Sequence, residues 1–292
     1  MSLSEQFPHI VRENEPLAPY TWLQLGGPAR FFAEPNSPEE FAAVVKQAKA
    51  DGLTVRMLGD GSNVLVRESG VDGVVIRLAT AGLCDISISE QTVRAAAGAK
   101  LNHVISAAVA AGLTGLEHLA GIPGTIGAAV STNAGVKNGD IGSRVTKITC
   151  VGEDGELQQL TRDELRFGFR RSSLDGSIVV EVELTLTEGE PSELTRRMQS
   201  SWIVRRADQP PSGSRTTQAL IEPDGTDLAH LLAEAGLKDE REGNVVLSSQ
   251  HPGFVLITAE ATSEQVLALL ARVQQTVEAR TGTQLQSQLK IW

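Results

Sequence analysis

Two glycine-rich segments constrain this chain more than any other feature. Gly59-Asp60-Gly61-Ser62-Asn63 directly follows the apolar run Val55-Arg56-Met57-Leu58. The second, Gly121-Ile122-Pro123-Gly124-Thr125-Ile126-Gly127-Ala128-Ala129, is followed closely by Asn133-Ala134-Gly135. Without a Cβ, glycine lets the backbone approach a neighbour or a ligand, and successive N–H groups can converge into an anion-binding concavity. The first segment alone would also suit a plain hairpin turn, and the second would suit tight helix packing. Two such segments, each ending a hydrophobic element, favour a ligand. No GxGxxG opens a helix, so the dinucleotide fingerprint of a Rossmann unit is absent.

The surrounding pattern is α+β and lacks strict βαβ alternation. A helix is expected from Pro38, through Phe41, Val44, Val45 and Ala48, to Asp51-Gly52. Strands are expected at Val55–Leu58, Val64–Val66 and Val74–Leu78, then a helix with Ile105, Ala108 and Val109 on one face. From Val145 the pattern turns to β: Val145–Val151, a turn at Glu153–Glu156, Leu157–Leu160 and Ile178–Leu186. A boundary is expected near Thr187–Pro191, dividing a nucleotide-binding domain (1–188) from a smaller α+β domain (189–292). In the second domain, helices are expected at Glu193–Arg206, Asp227–Ala235 and Ser263–Arg280, strands at Val245–Leu247 and Gly253–Ile257, and a closing strand over Gln284–Trp292. The long helix spaces Val266, Leu269, Leu270, Val273 and Val277 at threes and fours, as a buried face requires.

Charge and cysteine usage narrow the function classes. The 292 residues carry a net charge of −10, which disfavours a dedicated nucleic-acid binder. Cys84 and Cys150 lie far apart without CxxC spacing, so neither a zinc site nor a disulfide framework is expected. Glu5, Arg12, Glu13 and Glu15 interrupt the opening residues, where a signal peptide needs an apolar core. The weakly polar stretch Val104–Leu113 is short of the roughly 20 residues that span a bilayer. The expectation is a cytoplasmic protein with no membrane or nucleic-acid partner.

Several motifs together resemble one family, the UDP-N-acetylenolpyruvoylglucosamine reductases. The likeness opens at Thr21-Trp22-Leu23-Gln24-Leu25-Gly26-Gly27-Pro28-Ala29 and continues through both glycine-rich segments and Asn133-Ala134-Gly135. It takes in Phe167-Gly168-Phe169-Arg170-Arg171-Ser172, Leu237-Lys238 and Ser248-Ser249-Gln250-His251, and reaches the C-terminal strand. The short step from Arg170 to Ile178 resembles the more compact of the family's two types. The resemblance implies an FAD-binding domain of two α+β subdomains, a C-terminal substrate domain and a UDP-sugar substrate. It implies hydride passing from NADPH to FAD and then to an enolpyruvyl double bond. Gly59, Asp60, Gly61, Ser62 and Asn63 would hold the pyrophosphate. Gly121, Ile122, Pro123, Gly124, Thr125, Gly127 and Asn133 would complete the cofactor site.

Arg170 matches the family's arginine, whose guanidinium can bind a substrate carboxylate bidentately. The other two catalytic identities are replaced. Gln209-Pro210 upstream and Glu222-Pro223-Asp224-Gly225 downstream both put Gln218 where the family has its serine acid. Gln288 stands for the family's glutamate, in Leu285-Gln286-Ser287-Gln288-Leu289-Lys290. An amide hydrogen-bonds well but is a poor proton donor near neutral pH. Substitute donors are Ser214 under a four-residue shift, Thr216 or Thr217, or a water held by Gln218. Two readings therefore stand: a divergent reductase, or a flavin-binding homologue that has lost the activity and serves as a binding or regulatory protein.

Overall fold

The computed structural model describes every residue except Met1, Asn138, Glu153, Asp154, Asp175 and 222–226. The turn expected at Glu153–Glu156 and the segment Glu222–Gly225 used for register lie partly or wholly outside the described residues. By packing, the chain forms two compact units. The first contains residues 1–13, 31–59 and 72–206; the second contains 14–30, 60–71 and 207–292.

In the first unit, helix Pro38–Ala50 forms because Ser37 accepts from the Glu40 N–H at 3.2 Å, Pro38 pre-sets the first turn, and Glu39 and Glu40 oppose the helix dipole there. Its buried face is Phe41, Val44, Val45 and Ala48, as the spacing predicts. An antiparallel five-stranded sheet follows, ordered Leu157–Thr161, Val145–Val151, Ile178–Thr185, Thr92–Ala96 and Ile86–Ser89. Strands Thr54–Leu58 and Val71–Arg77 pair in parallel within a separate four-stranded sheet. Helix Leu101–Ala110 buries Leu101, Val104, Ile105, Ala108 and Val109.

The helix expected from Glu193 spans Pro191–Ala207, and nearly all of it belongs to the first unit. The chain passes to the second unit for the last time near Arg206, not near Thr187–Pro191. The cause is local packing. Strand Thr187–Glu188 pairs with Leu113–Thr114, Gly189 donates to the Gly112 carbonyl at 2.8 Å, and Leu194 joins the first core.

In the second unit, strands Thr216–Gln218, Phe254–Ile257, Val245–Leu247 and Arg241–Glu242 form one antiparallel sheet. Helix Ser263–Thr281 covers it, opened by a Thr262/Gln265 capping box and closed by left-handed Gly282. Its buried residues include Val266, Leu269, Leu270, Val273 and Val277. Leu23, Leu25 and Leu65 enter the same core, which is why segments distant in sequence belong to this unit. The expected single strand Gln284–Trp292 is instead two short ones. Gln286–Ser287 pairs with Leu220–Ile221, and Lys290–Ile291 runs parallel to Val64–Leu65. Buried Leu285 and Leu289 are four residues apart with Ser287 exposed between them, so the alternation that one strand needs is broken. Among the described residues, no helix is long and apolar enough to cross a membrane.

Candidate active site

Strand Thr54–Leu58 delivers the chain to Gly59, where a Cβ would lie 3.2 Å from Thr125 Oγ1 and 3.4 Å from Ala128 Cβ. The two glycine-rich segments therefore meet in the first unit. Thr125 caps helix Ile126–Ser131, its hydroxyl accepting from the Ala128 N–H at 3.4 Å. The N–H groups of Gly121, Ile122 and Gly127 are donated inside the protein, to Asn102 Oδ1, Leu119 O and Ala97 O. These three positions contribute close approach of backbone, not N–H donors. Gly124 opens the segment: φ is +116° and a Cβ built there meets nothing within 4 Å.

The rest of the first glycine segment is held in the second unit. Gly61 has φ of +66°, and a Cβ on it would stand 2.0 Å from the Tyr20 carbonyl, so no other residue fits. Thr217 Oγ1 donates to the Ser62 carbonyl at 2.7 Å. Asn63 Nδ2 donates to the Gln288 carbonyl at 2.9 Å, and Lys290 N donates back to the Asn63 carbonyl at 3.0 Å. Gln288 then reaches the third member. Its Nε2 donates to the Gln218 carbonyl at 2.8 Å, and its main-chain N–H donates to Ala219 O at 3.1 Å. The unit thus joins Ser62, Asn63, Thr217, Gln218 and Gln288 in one network. Thr216 and Thr217, weighed above as proton donors, are buried, and both hydroxyls are given to main-chain carbonyls. Ser214 sits in a turn upstream, its N–H donated to Pro211 O. Sequence reading missed the Thr217–Ser62 tether, which links positions 155 residues apart.

Arg170 lies in the first unit on a two-residue hairpin. Phe167 pairs with Ser172 and Gly168 with Arg171, leaving Phe169 and Arg170 at the tip. Arg170 adopts the left-handed region, with φ of +55°, an uncommon conformation for a non-glycine residue. Its Nε is buried without a hydrogen-bond partner, and burial pushes its pKa below the usual guanidinium value. Arg171 beside it is exposed. Asn133, expected at the cofactor, is buried, and its carboxamide bonds only within the protein.

The chain is similar to known proteins along its whole length. Residues 29–161 match a model described as an FAD binding domain, and residues 208–292 match the UDP-N-acetylenolpyruvoylglucosamine reductase C-terminal domain. The UDP-N-acetylenolpyruvoylglucosamine reductase of Rhodopirellula baltica is 43% identical over 100% of this chain and 97% of its own length. The chain belongs to the UDP-N-acetylenolpyruvoylglucosamine reductase family. A Staphylococcus aureus member is 34% identical over 96% of the chain and 92% of its own length. The crystal structure of the Thermus caldophilus member superposes with a TM-score of 0.82 at 33% identity, covering 97% of this chain and 99% of that one. The α+β fold, with an FAD-binding domain and a family C-terminal domain, follows from that match.

The residues present fit a flavin on two observations. Asn63 Oδ1 is buried with no hydrogen-bond partner, an acceptor left for a ligand donor. Gly124 leaves open space beside the loop that a side chain would fill. Among the described residues, no three His, Cys, Asp or Glu side chains are placed to hold a metal ion.

Proposed function

We propose that this chain catalyses the NADPH- and FAD-dependent reduction of UDP-N-acetylglucosamine enolpyruvate to UDP-N-acetylmuramate, a cytoplasmic step of peptidoglycan precursor synthesis. The observation that carries the reading is Arg170. A half-buried arginine whose Nε is buried and unpartnered, on a strained turn at the family's arginine position, calls for an anion. Full-length likeness to the Rhodopirellula baltica reductase supports the substrate.

FAD, when bound, supplies the hydride chemistry between the nicotinamide and the enolpyruvyl double bond. The chain's own residues bind, orient and stabilise. In this reading Gly59–Asn63 and Gly121–Gly127 lie against the flavin, and the C-terminal domain over residues 208–292 receives the UDP-sugar. Arg170 holds the substrate carboxylate. As hydride reaches the methylene carbon, negative charge grows on the carbon beside that carboxylate, where a guanidinium stabilises it. That carbon must then be protonated. Gln218 is an amide and gives up no proton near neutral pH, so the donor assigned here is a water that it holds. Gln288 keeps the Gln218 strand in place through the 2.8 Å bond to its carbonyl.

The test is anaerobic. The purified holoprotein is reduced with NADPH, the enolpyruvyl sugar nucleotide is added, and flavin absorbance is followed. Rapid reoxidation that depends on the sugar nucleotide is the expected result. Reduction without reoxidation would overturn the reading and make the chain a flavin-binding homologue that lacks the reductase activity.

A further inference from the structure

Asn133 stands between two segments that sequence places far apart, and it is 2% exposed. Its Nδ2 donates to Asp140 Oδ2 at 3.0 Å and to the Gly168 carbonyl at 2.8 Å, while its Oδ1 accepts from the Gly142 N–H at 3.0 Å. Both amide hydrogens are therefore used, and no donor remains for a ligand. Gly168 is the residue from which the hairpin turns out to Phe169 and Arg170. The returning strand is fixed separately, by Ser172 Oγ donating to the Ser131 carbonyl at 2.8 Å. The tip thus hangs from two anchors, one on either side of Arg170. The two anchored residues, Gly168 and Ser172, each lie two positions from Arg170.

We infer that Asn133 is a positioning residue for Arg170: its carboxamide, held by Asp140 and Gly142, fixes the Gly168 carbonyl and so the left-handed turn that aims the guanidinium. The physical reason is the left-handed backbone of Arg170. Its Nε has no partner, and its φ of +55° is unfavourable for an arginine, so the surroundings must impose the turn. A buried amide held on its other sides by Asp140 and Gly142 does so with little freedom to follow the hairpin, so a shift of Gly168 must break the 2.8 Å bond. Asn133 itself has φ of +46°, a region where asparagine is among the better tolerated residues. This assignment rests on the reading of Arg170 as the carboxylate ligand.

The test uses the FAD-loaded enzyme with Asn133→Gly, which keeps the left-handed backbone and removes only the side chain. Asn133→Asp is the second variant: it keeps the size and the acceptor for Gly142 but loses both donors. Flavin content and the rate of flavin reduction by NADPH are expected within about twofold of wild type. Reoxidation by the enolpyruvyl sugar nucleotide is expected to fall about 10- to 100-fold, the cost of misplacing an oriented group by about an ångström. In an Arg170→Ala background, either change should cost no more than about a further twofold. Hydrogen exchange over Phe167–Ser172 should speed up at least about tenfold in both variants. Additive losses with Arg170→Ala, or flavin loss matching the activity loss, would overturn the inference. If wild type itself fails to reoxidise, the functional reading falls on that result alone. Exchange over the hairpin then decides the positioning claim, and unchanged exchange would sink it.

Discussion

The side-chain amide of Gln288 donates to the main-chain carbonyl of Gln218 at 2.8 Å. The two positions assigned to the family's acid and carboxylate are therefore one hydrogen-bonded pair. A carboxylate at 288 has no proton to donate and would turn a lone pair on that carbonyl. Gln288→Glu is expected to destabilise the protein by about 1 kcal/mol at pH 7. The sign follows from linkage. The new carboxyl would have its folded pKa raised, so the penalty is full above that pKa and disappears as pH falls below the unfolded value of about 4.3. Urea unfolding of wild type and variant at pH 7 and pH 4 checks this; equal gaps at both would count against it.

Gln218→Ser restores a hydroxyl at the position assigned to the proton source. Reoxidation of the reduced flavin by the enolpyruvyl sugar nucleotide should accelerate by about tenfold or more, the lower end of what general acids contribute. Flavin reduction by NADPH should not change. Stopped-flow measurement of the two half-reactions separates them, and an unchanged reoxidation rate would remove Gln218 from the site.

Thr217 donates its buried hydroxyl to the Ser62 carbonyl at 2.7 Å. Thr217→Val keeps the shape and leaves that carbonyl unpaired, which should cost about 1–2 kcal/mol of stability. Because Ser62 belongs to the glycine segment expected to hold the flavin, FAD affinity should fall as well, measurable by fluorescence titration of the apoprotein. A loss of stability with unchanged affinity would mean that the tether serves the fold alone.

Two neighbouring glycines should respond very differently to alanine. At Gly61 a Cβ would stand 2.0 Å from the Tyr20 carbonyl with φ of +66°, and neither backbone can yield cheaply. At Gly59 it would meet the Thr125 hydroxyl at 3.2 Å, a contact that a small side-chain shift relieves. Gly61→Ala is expected to lower stability by more than about 2 kcal/mol and to be purified with little flavin. Gly59→Ala should fold and stay within about 1 kcal/mol of wild type. Thermal melts with flavin absorbance per protein test the pair together.

Glu117 gives the first unit an acid limb. Desolvation alone would raise its pKa, but hydrogen bonds from the Gly115 N–H and the Thr114 hydroxyl, both 2.7 Å, outweigh it and hold the carboxyl below 4.5. A depressed carboxylate contributes stability above its unfolded pKa and loses it as pH falls through the folded value. Glu117→Gln should therefore be about 1–2 kcal/mol less stable at pH 7, with the gap closing below pH 4.5. A gap that stays constant into acid would show that the carboxylate's charge contributes nothing.

Strong local signals in this chain were readable before any folding was known. Helix Pro38–Ala50 has a serine cap, a proline start and a four-residue apolar face, and strand Val145–Val151 is mostly β-branched, broken only by Lys147 and Cys150. Weak ones were not. Strand Thr92–Ala96 buries only Val93 and Ala95, and alternation carried by alanine is hard to see in a sequence. The divergence proposed at Gln218 and Gln288 rests on residue identity, because an amide cannot do the work of an acid. Asn133 is the opposite case: asparagine suits a ligand and a scaffold equally, and its bonds to Asp140, Gly142 and Gly168 came only with the fold.

The sequence by itself determined the elements with local causes, the two glycine segments and the family to which they belong, since caps, spacing and missing Cβ atoms act over a few residues. Tertiary structure alone decided that Ser62 is tied to Thr217, that Gln288 bonds Gln218, and that Asn133 braces the turn bearing Arg170. Those bonds join positions 155, 70 and 35 residues apart. Each exists because burial leaves a carbonyl that some donor must satisfy, and which donor arrives is a property of the folded chain, not of the residues on either side.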